Sequence, residues 1–347
     1  MIVVRFTSGL GNQMFQYSFY QFLKNIYKDT EVKADLTWFY ANNDHHGYEL
    51  QRIFGRAHHS MFSVNEATKS EIFKVTGLIP NLFQPNNMIT GNEKCFDKES
   101  VLWSFDPNDY ARGKYSEKSA KTFEKFRRYP NRILRIFTGK KRKPYIIDML
   151  SNTYEDDYYY LTHLDVNKDW YICGFFIEEK YIINRLDIMK NHLRFPDITD
   201  ENNLILKNAI EETESVSIHV RRGDYLSVIY KNQFVTLDKN YYGNAIKYIS
   251  EHVSNPHYFI FSDDAAFVKE MFKDIENKTI VAANSGDDSF RDMQLMSLCK
   301  HNIIANSTFS QWAALLNDNE NHITVYPHMY LNGKDTEEKM MPGWVRM

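Results

Sequence analysis

The second half of this chain alternates short apolar strands with helical segments, and this alternation most constrains the fold. The β-branched and aromatic runs predict strands at Val216–Val220, Tyr258–Phe261, Thr279–Ala282, Asn302–Ala305 and Ile323–Tyr326. Helical segments are predicted near 239–252, 265–273, 289–300 and 308–317. Strands that alternate with helices of this length form right-handed βαβ units around a parallel sheet. We therefore predict a doubly wound α/β domain.

The N-terminal half also begins with a strand and a helix. Ile2–Phe6 predicts a strand, the run from Gly9 to Asn12 a glycine loop, and the segment from about Gln13 to Tyr27 a helix. A chain of 347 residues suggests roughly two domains. We predict an N-terminal domain over 1–170 and a C-terminal domain over 171–347.

Composition and charge exclude several classes of protein. The balance of 42 basic against 45 acidic residues argues against a general nucleic-acid binder, which is usually basic overall. The three cysteines are far apart, so we predict no disulfide framework and a reducing, cytoplasmic setting. The chain starts with a strand rather than a signal peptide, and no stretch approaches eighteen apolar residues.

The segment 112–143 is strongly basic. It contains thirteen Lys or Arg residues against Glu117 and Glu124, with apolar side chains interleaved. A basic, partly amphipathic helix is typical of elements that lie on a membrane surface. The alternative is a solvated helical insertion. Our hypothesis is that this segment docks on anionic lipid at the inner face of the plasma membrane.

Two arginines follow the predicted strand that ends at Val220. In an open α/β sheet, ligands bind outside the carboxyl ends of the strands. Arg221 and Arg222 would stand there as permanently charged groups suited to bidentate contact with phosphate. His219 precedes them in the strand. The structural alternative is that the arginines form ion pairs with Asp224 and a neighbouring residue.

Three further loops are placed to hold a nucleotide-like ligand. Gly9-Leu10-Gly11-Asn12-Gln13 would let the backbone approach a ligand, or would simply be a tight turn. Asp263-Asp264 would read a ribose or base edge, or cap the next helix, and we favour the cap for at least one of the two. Asn306-Ser307-Thr308-Phe309-Ser310 would cradle a phosphate, or provide an N-cap with spare hydroxyls.

The motifs that bind metals are missing from the sequence. It contains no Asp-x-Asp, no zinc-type His-x-x-x-His and no P-loop lysine motif. We therefore predict that arginine, rather than a metal ion, neutralises the charge on a leaving phosphate, and that no cofactor is needed.

Taken together, these segments resemble the bacterial α-1,2-fucosyltransferase family. The resemblance rests on the run from Gly9 to Tyr17, on Tyr48-Glu49-Leu50, on His219-Val220-Arg221-Arg222-Gly223-Asp224-Tyr225 and on Asp292 through Ser310. It implies a GT-B architecture, in which two Rossmann-like domains face a cleft, and an inverting transfer from GDP-fucose without metal. The N-terminal domain would then bind the acceptor and the C-terminal domain the donor.

The resemblance also implies roles for individual residues. Arg221 would bind the donor β-phosphate and stabilise the departing GDP, with His219 as a further donor contact and Arg222 supporting the loop. Asp292 would read the guanine. The remaining predicted donor-binding residues are Gly9, Gly11, Asn12, Gln13, Ser307, Thr308, Phe309 and Ser310. Asp224 is the candidate acceptor base, or orients an arginine.

The acceptor is less constrained than the donor. The family expectation is a terminal galactose in a surface polysaccharide such as an O-antigen, in a lipid-linked intermediate or in a free oligosaccharide. Gln311 and Ala313 stand where relatives usually have Trp and Gly, which bears on the acceptor. The alternatives are another fucosyl linkage, another nucleotide-sugar donor, or a non-catalytic module that binds nucleotide sugars or glycans.

Overall fold

The structure is a computed structural model that describes residues 1–40, 46–76, 145–148, 157–226, 234–331, 334–335 and 340–347. In the first half, its strands and helices are β1 (Ile2–Arg5), α1 (Leu10–Ile26), β2 (Val32–Asp35), α2 (Leu50–Ile53), α3 (Lys69–Thr76), β3 (Tyr145–Asp148), α4 (Asp157–Thr162) and β4 (Trp170–Cys173).

The second half continues with α5 (Leu186–His192), α6 (Glu201–Glu211), β5 (Glu214–Val220), α7 (Lys239–His252), β6 (Pro256–Ser262), α8 (Ala265–Met271), β7 (Lys278–Val281), α9 (Phe290–Leu298), β8 (His301–Ile303), α10 (Thr308–Leu315), β9 (Thr324–Tyr326), β10 (Met329–Leu331), β11 (Lys334–Asp335) and β12 (Val345–Arg346). Short 3-10 turns occur between these elements, among them Asp224–Leu226 and Gly286–Asp288.

The chain divides into two compact units. The first holds Met1–Gly9, Phe15–Glu49 and Ser63–Phe176, and the second holds Leu10–Met14, Leu50–Phe62 and Ile177–Met347. The sheet of the first unit has the order β2-β1-β4-β3, and all of its neighbouring strands are parallel. Burial on both faces explains why β1 and β4 are almost wholly apolar.

The second unit is built on a six-stranded sheet of order β12-β9-β8-β5-β6-β7, in which every neighbouring pair is parallel. Alternate residues of β5, Val216, Ile218 and Val220, pack in one core with the apolar face of α7. The strand order reverses on either side of β5. The prediction of an α/β protein with a doubly wound C-terminal sheet is therefore confirmed.

Several local predictions need correction. The predicted glycine loop Gly9–Asn12 is the start of α1, since Gly9 is the N-cap residue and Leu10 is already helical. Two 3-10 turns, Glu179–Tyr181 and Ile183–Arg185, precede α5, although the sequence pattern from about Glu178 suggests a helix there. Although no disulfide was expected, Cys173 is disulfide-bonded, whereas Cys299 is a free buried thiol.

Two further predictions concern the domain boundary and the basic segment. The boundary is predicted at 170/171, and the first compact unit extends through β4 to Phe176. The basic segment 112–143 lies outside the described residues, so its predicted membrane contact stays a prediction. Within the described ranges, none of the helices combines the length and the apolar character needed to cross a bilayer.

Candidate active site

The predicted phosphate-binding residues lie at the point where the second sheet reverses direction. From β5 the chain builds outward through β6 to β7, and it then returns to place β8 on the other side of β5. The loops that follow β5 and β8 therefore leave the same edge of the sheet in different directions. Such a topological switch point is where open α/β sheets bind their ligands.

The loop after β5 is organised by a carboxylate from the neighbouring strand β6. Asp263 accepts hydrogen bonds from the backbone N–H groups of Arg222 and Gly223, both at 3.1 Å, and its Oδ2 lies 3.4 Å from a guanidinium nitrogen of Arg221. A Cβ on Gly223 would lie 2.7 Å from the same oxygen. Asp263 therefore shapes the backbone that carries Arg221, which is a role that the sequence analysis missed.

Asp264 and Arg222 form a second pair beside the first. One carboxylate oxygen of Asp264 caps α8 by accepting the Phe267 N–H at 3.0 Å, and the other accepts from Arg222 Nε at 3.1 Å. These contacts lower the pKa of Asp264, chiefly through the bond from Phe267. The Arg222 guanidinium also lies 3.4 Å from the centre of the Phe267 ring. Arg222 is thus held by residues at the start of α8, and Asp264 is the residue of the Asp263-Asp264 pair that caps this helix.

His219 is a buried histidine whose Nδ1 atom has no hydrogen-bond partner among the described residues. Its carbonyl oxygen accepts a hydrogen bond from the Tyr242 hydroxyl at 3.0 Å, and its ring centre lies 5.8 Å from that of Phe309. Burial, reinforced by the positive charge of Arg221, lowers the pKa of His219 to about 3. The ring is therefore neutral near pH 7, and a buried polar atom without a partner is expected to meet a ligand or water.

The loop after β8 leads directly into the N-terminus of α10. Ser307 is the N-cap residue, and its hydroxyl accepts the Phe309 N–H at 3.4 Å. The hydroxyl of Ser310, in contrast, is fully buried, donates to the Ser307 carbonyl and accepts the Ala305 N–H. Ser310 is therefore used within the loop, whereas the N–H groups of the first helical turn lack intrahelical acceptors and attract anions.

The start of α1 packs against the same turn within the second unit. A Cβ on Gly11 would lie 2.5 Å from the carbonyl carbon of Thr308 and 2.7 Å from the nitrogen of Phe309. The N-termini of α1 and α10 are thus in contact, and neither first turn contains an acidic residue. Each helix N-terminus carries a partial positive charge, so this junction favours an anion.

The other predicted donor-binding residues of the segment Gly9–Gln13 differ in burial. Asn12 is half-buried, Gln13 is fully buried, and Gly9 belongs to the first unit. Asp224 begins the 3-10 turn after the arginines, and the role predicted for its side chain stays a prediction. Arg221 pairs with Asp263 and Arg222 with Asp264, while the predicted pairing with Asp224 stays a prediction.

Asp292 has a separate set of partners. It lies in the first turn of α9, where its Oδ1 accepts a hydrogen bond from the amide of Asn284 at 2.8 Å. Asn284 is in turn paired with Asn203 through both side-chain amides. Burial raises the pKa of Asp292 to about 7, although the Asn284 bond opposes this shift. The recognition of guanine by Asp292 stays a prediction.

The described residues contain no group of three or more His, Cys, Asp or Glu side chains placed to hold a metal ion. Metal independence stays a prediction.

Comparison with known proteins identifies the family. The model of glycosyl transferase family 11 matches residues 133–347, which is more than half of the chain. The chain belongs to this family. The resemblance found in the sequence is thereby confirmed, and this family member is a glycosyltransferase.

Individual relatives cover different shares of this glycosyltransferase. It is 34% identical over 152 residues to the O-antigen biosynthesis glycosyltransferase WbnK of Escherichia coli, covering 44% of this chain and 50% of that protein. It is 24% identical over 352 residues to an Escherichia coli alpha-1,2-colitosyltransferase, covering 100% of this chain and 99% of that protein. The alignment with the mouse galactoside 2-alpha-L-fucosyltransferase Sec1 is 28% identical over 192 residues, with 54% and 50% covered.

A comparison with solved structures finds the α-1,6-fucosyltransferase NodZ soaked with GDP-fucose. The TM-score is 0.42 at 13% identity, and the match covers 91% of this chain and 92% of that one.

Proposed function

We propose that this glycosyltransferase moves L-fucose from GDP-fucose to the 2-hydroxyl of a galactose-containing acceptor, with inversion at the anomeric carbon. The observation that carries the donor assignment is the meeting of Arg221, His219 and the N-terminus of α10 at the switch point of the second sheet. A fixed cation, a neutral imidazole and two helix N-termini suit a diphosphate, and the names of the relatives support fucosyl or colitosyl transfer.

The reaction follows from where charge develops. The acceptor oxygen attacks the anomeric carbon from the face opposite GDP, while the bond between that carbon and the β-phosphate oxygen breaks. Negative charge grows on the departing diphosphate, and preorganised donors are most effective at such a place. Asp263 fixes the Arg221 loop before the donor arrives, so little reorganisation is needed at the transition state. In this proposal, these groups neutralise the leaving group without a metal.

The acceptor hydroxyl also needs a base that removes its proton. A carboxylate or histidine must come within hydrogen-bond reach of the attacking hydroxyl, and Asp224 is our candidate. The neutral state of His219 would also let it accept a proton, but its burial beside Arg221 favours a donor-binding role. Because the WbnK relative is named for O-antigen biosynthesis, we propose a surface-polysaccharide acceptor, free or lipid-linked.

A second candidate donor is GDP-colitose. The relative that aligns along the whole chain is named an alpha-1,2-colitosyltransferase, which favours this alternative. Colitose is fucose without its 3-hydroxyl. A site that binds this hydroxyl through buried polar groups would reject colitose strongly, by about 10⁴-fold or more, whereas a site without such a contact would accept both sugars.

The test is acceptor-stimulated release of GDP from GDP-fucose in the presence of a chelator, over a panel of galactosides. GDP-mannose and GDP-colitose serve as the comparison donors. We expect release from GDP-fucose with a β-galactoside and an α-1,2 product by NMR. Preferential release from GDP-colitose would support the second candidate. Tight binding of GDP-fucose without turnover on any acceptor would instead support a non-catalytic binding module.

We also propose that the basic segment 112–143 brings the enzyme to anionic lipid that carries the acceptor. The support is its charge and its interleaved apolar side chains. Co-sedimentation with anionic vesicles should be strong at low salt and weak at high salt. Equal binding to neutral and anionic vesicles would contradict the proposal.

A further inference from the structure

The loops after β5 and β8 are joined by one buried tyrosine hydroxyl. The Tyr225 hydroxyl donates to the carbonyl oxygen of Asn306 at 2.8 Å, and the side chain is 6% exposed. Tyr225 follows the arginine loop, while Asn306 immediately precedes the N-cap residue of α10. This bond therefore connects the two segments that we propose hold opposite sides of the same diphosphate.

The ring of Tyr225 contacts two further side chains. It stacks on Phe234 with ring centres 4.3 Å apart and an interplanar angle of 13°. The guanidinium of Arg221 lies 5.9 Å from the centre of the Tyr225 ring, which is within the range of a cation–π contact. The same side chain thus contacts the arginine and the backbone at the start of α10.

The bond to Asn306 also sets the orientation of the peptide group between Asn306 and Ser307. In a planar trans peptide the C=O and N–H groups point in opposite directions, so fixing the carbonyl on Tyr225 fixes the Ser307 N–H as well. The side-chain amide of Asn306 donates to the carbonyl of Val235 at 2.8 Å, which holds this residue from a second direction. The first turn of α10 starts from this fixed peptide.

We infer that Tyr225 is a positioning residue, whose hydroxyl keeps Arg221 in register with the N-terminus of α10 so that both contact one nucleoside diphosphate. This inference rests on the proposed function, because it assumes that the diphosphate binds between these two segments. Nothing in the reaction requires Tyr225 to touch the reacting atoms. Its contribution is to hold the two loops in the binding geometry before the ligand arrives.

The test is Tyr225→Phe, which keeps the ring and removes the hydroxyl. Tyr241→Phe is the matched control, since the Tyr241 hydroxyl is also buried and donates to the Ile304 carbonyl at 2.6 Å. Ile304 is additionally held by its N–H bond to Val325, so the control should not release the loop. Each variant removes one buried hydroxyl together with its bonding to backbone carbonyls, so both should have reduced thermal stability.

The measurement is GDP binding by calorimetry with the full chain. We expect Tyr225→Phe to weaken GDP binding by about tenfold and Tyr241→Phe to leave it within twofold. In an Arg221→Ala background, the effect of Tyr225→Phe should fall below twofold, because the two residues act as a unit. Phe234→Leu removes the ring stack on Tyr225 but keeps the Tyr225 hydroxyl, and it should also weaken GDP binding. This variant replaces Tyr225→Phe as the test if Tyr225→Phe does not fold.

The outcomes separate the inference from the proposed function. Absence of GDP binding by the wild-type chain would overturn the proposed function, and with it the inference. Wild-type binding of GDP with equal affinity for Tyr225→Phe, or equal losses in the two tyrosine variants, would overturn the inference alone. Full additivity with Arg221→Ala would also overturn it, since Tyr225 would then act on stability and not through Arg221.

Discussion

A carboxylate oxygen of Asp263 lies 3.4 Å from a guanidinium nitrogen of Arg221, and the same carboxylate accepts two backbone N–H groups of the arginine loop. The pair joins the ends of two neighbouring parallel strands, β5 and β6. The arginine proposed to meet the donor is therefore held at the sheet edge, where Asp263 contacts both its guanidinium and the backbone of its loop.

Asp263→Asn should lower both stability and transfer. Each oxygen of Asp263 accepts a separate backbone N–H, so an amide would place an NH₂ group against one of those donors. We expect a loss of about 1–3 kcal/mol in the free energy of unfolding and a clear drop in rate. Asp200→Asn is the control, because one oxygen of the N-cap Asp200 accepts both hydrogen bonds from Asn203 and the oxygen of an amide can replace it. Urea denaturation and GDP release measure the two effects; equal behaviour of both variants would contradict this role.

Arg221→Ala should abolish most of the transfer without unfolding the protein. Removing one preorganised donor at a developing charge typically costs about 100- to 1000-fold in rate. The ion pair with Asp263 is partly exposed, so the stability loss should stay near or below 1 kcal/mol. Arg194→Ala, at an exposed arginine bonded to Asn191, is the control and should be active. Near-normal turnover of Arg221→Ala would refute the assignment.

Gly11→Ala should be destabilising and should impair GDP binding. The new Cβ would lie 2.5 Å from the Thr308 backbone, which has no flexible side chain to move aside. Gly243→Ala is the matched control, since Gly243 lies within α7 and a Cβ there meets nothing within 4 Å. Alanine should stabilise α7 by about 0.5–1 kcal/mol. Thermal unfolding of the two variants should therefore shift in opposite directions, and a shared direction would contradict the close packing.

His219 should make the fold sensitive to acid. Its pKa is lowered to about 3 in the folded chain, against about 6.5 when unfolded, so only the unfolded state binds the proton between these values. The contribution of neutral His219 to the free energy of unfolding is fully present above pH 6.5 and is lost as the pH falls toward 3. We expect a loss of about 2 kcal/mol between pH 7 and pH 5. Urea denaturation of His219→Gln should show a weaker acid dependence than wild type. The control is His252→Gln at an exposed histidine, which should keep the acid dependence of the wild type. If the stability of His219→Gln also changes with pH as in the wild type, burial of His219 does not cause the acid sensitivity.

Asp292 should make the fold less stable as the pH rises, which is opposite to the effect of His219. Its pKa is raised to about 7, above its unfolded value, so the folded state binds the extra proton and stability falls as the pH rises from about 4 to 7. Asp292→Asn should remove this dependence, worth about 1.4 kcal/mol for each pH unit. If the ionised carboxylate reads guanine, GDP should also bind more tightly at pH 8 than at pH 6 in the wild type alone. GDP binding that is independent of pH would argue against this reading.

Much of the fold was determined by the sequence itself. Strand and helix periodicity, the run of apolar residues before Arg221 and the short polar residues before helices are local patterns, so they predicted β5, α7 and α10 closely. The cap at Asp264 was also predictable, because capping depends on a few neighbouring residues. The start of α1 was misplaced since Gly11 is a poor helix former in isolation, and packing on Thr308 overrides its propensity.

The tertiary structure alone decided how these parts form a site. Local reasoning offered Asp224 as a partner of the arginines, but it could not show that the sheet register also brings Asp263 to Arg221 from the end of the next strand. Burial of His219, and with it the lowered pKa, depends on packing by distant segments and has no local signature. The sequence could thus specify which residues end each strand. Only long-range parallel pairing could decide which strand ends meet, because neighbours in a parallel sheet are separated by whole crossover connections.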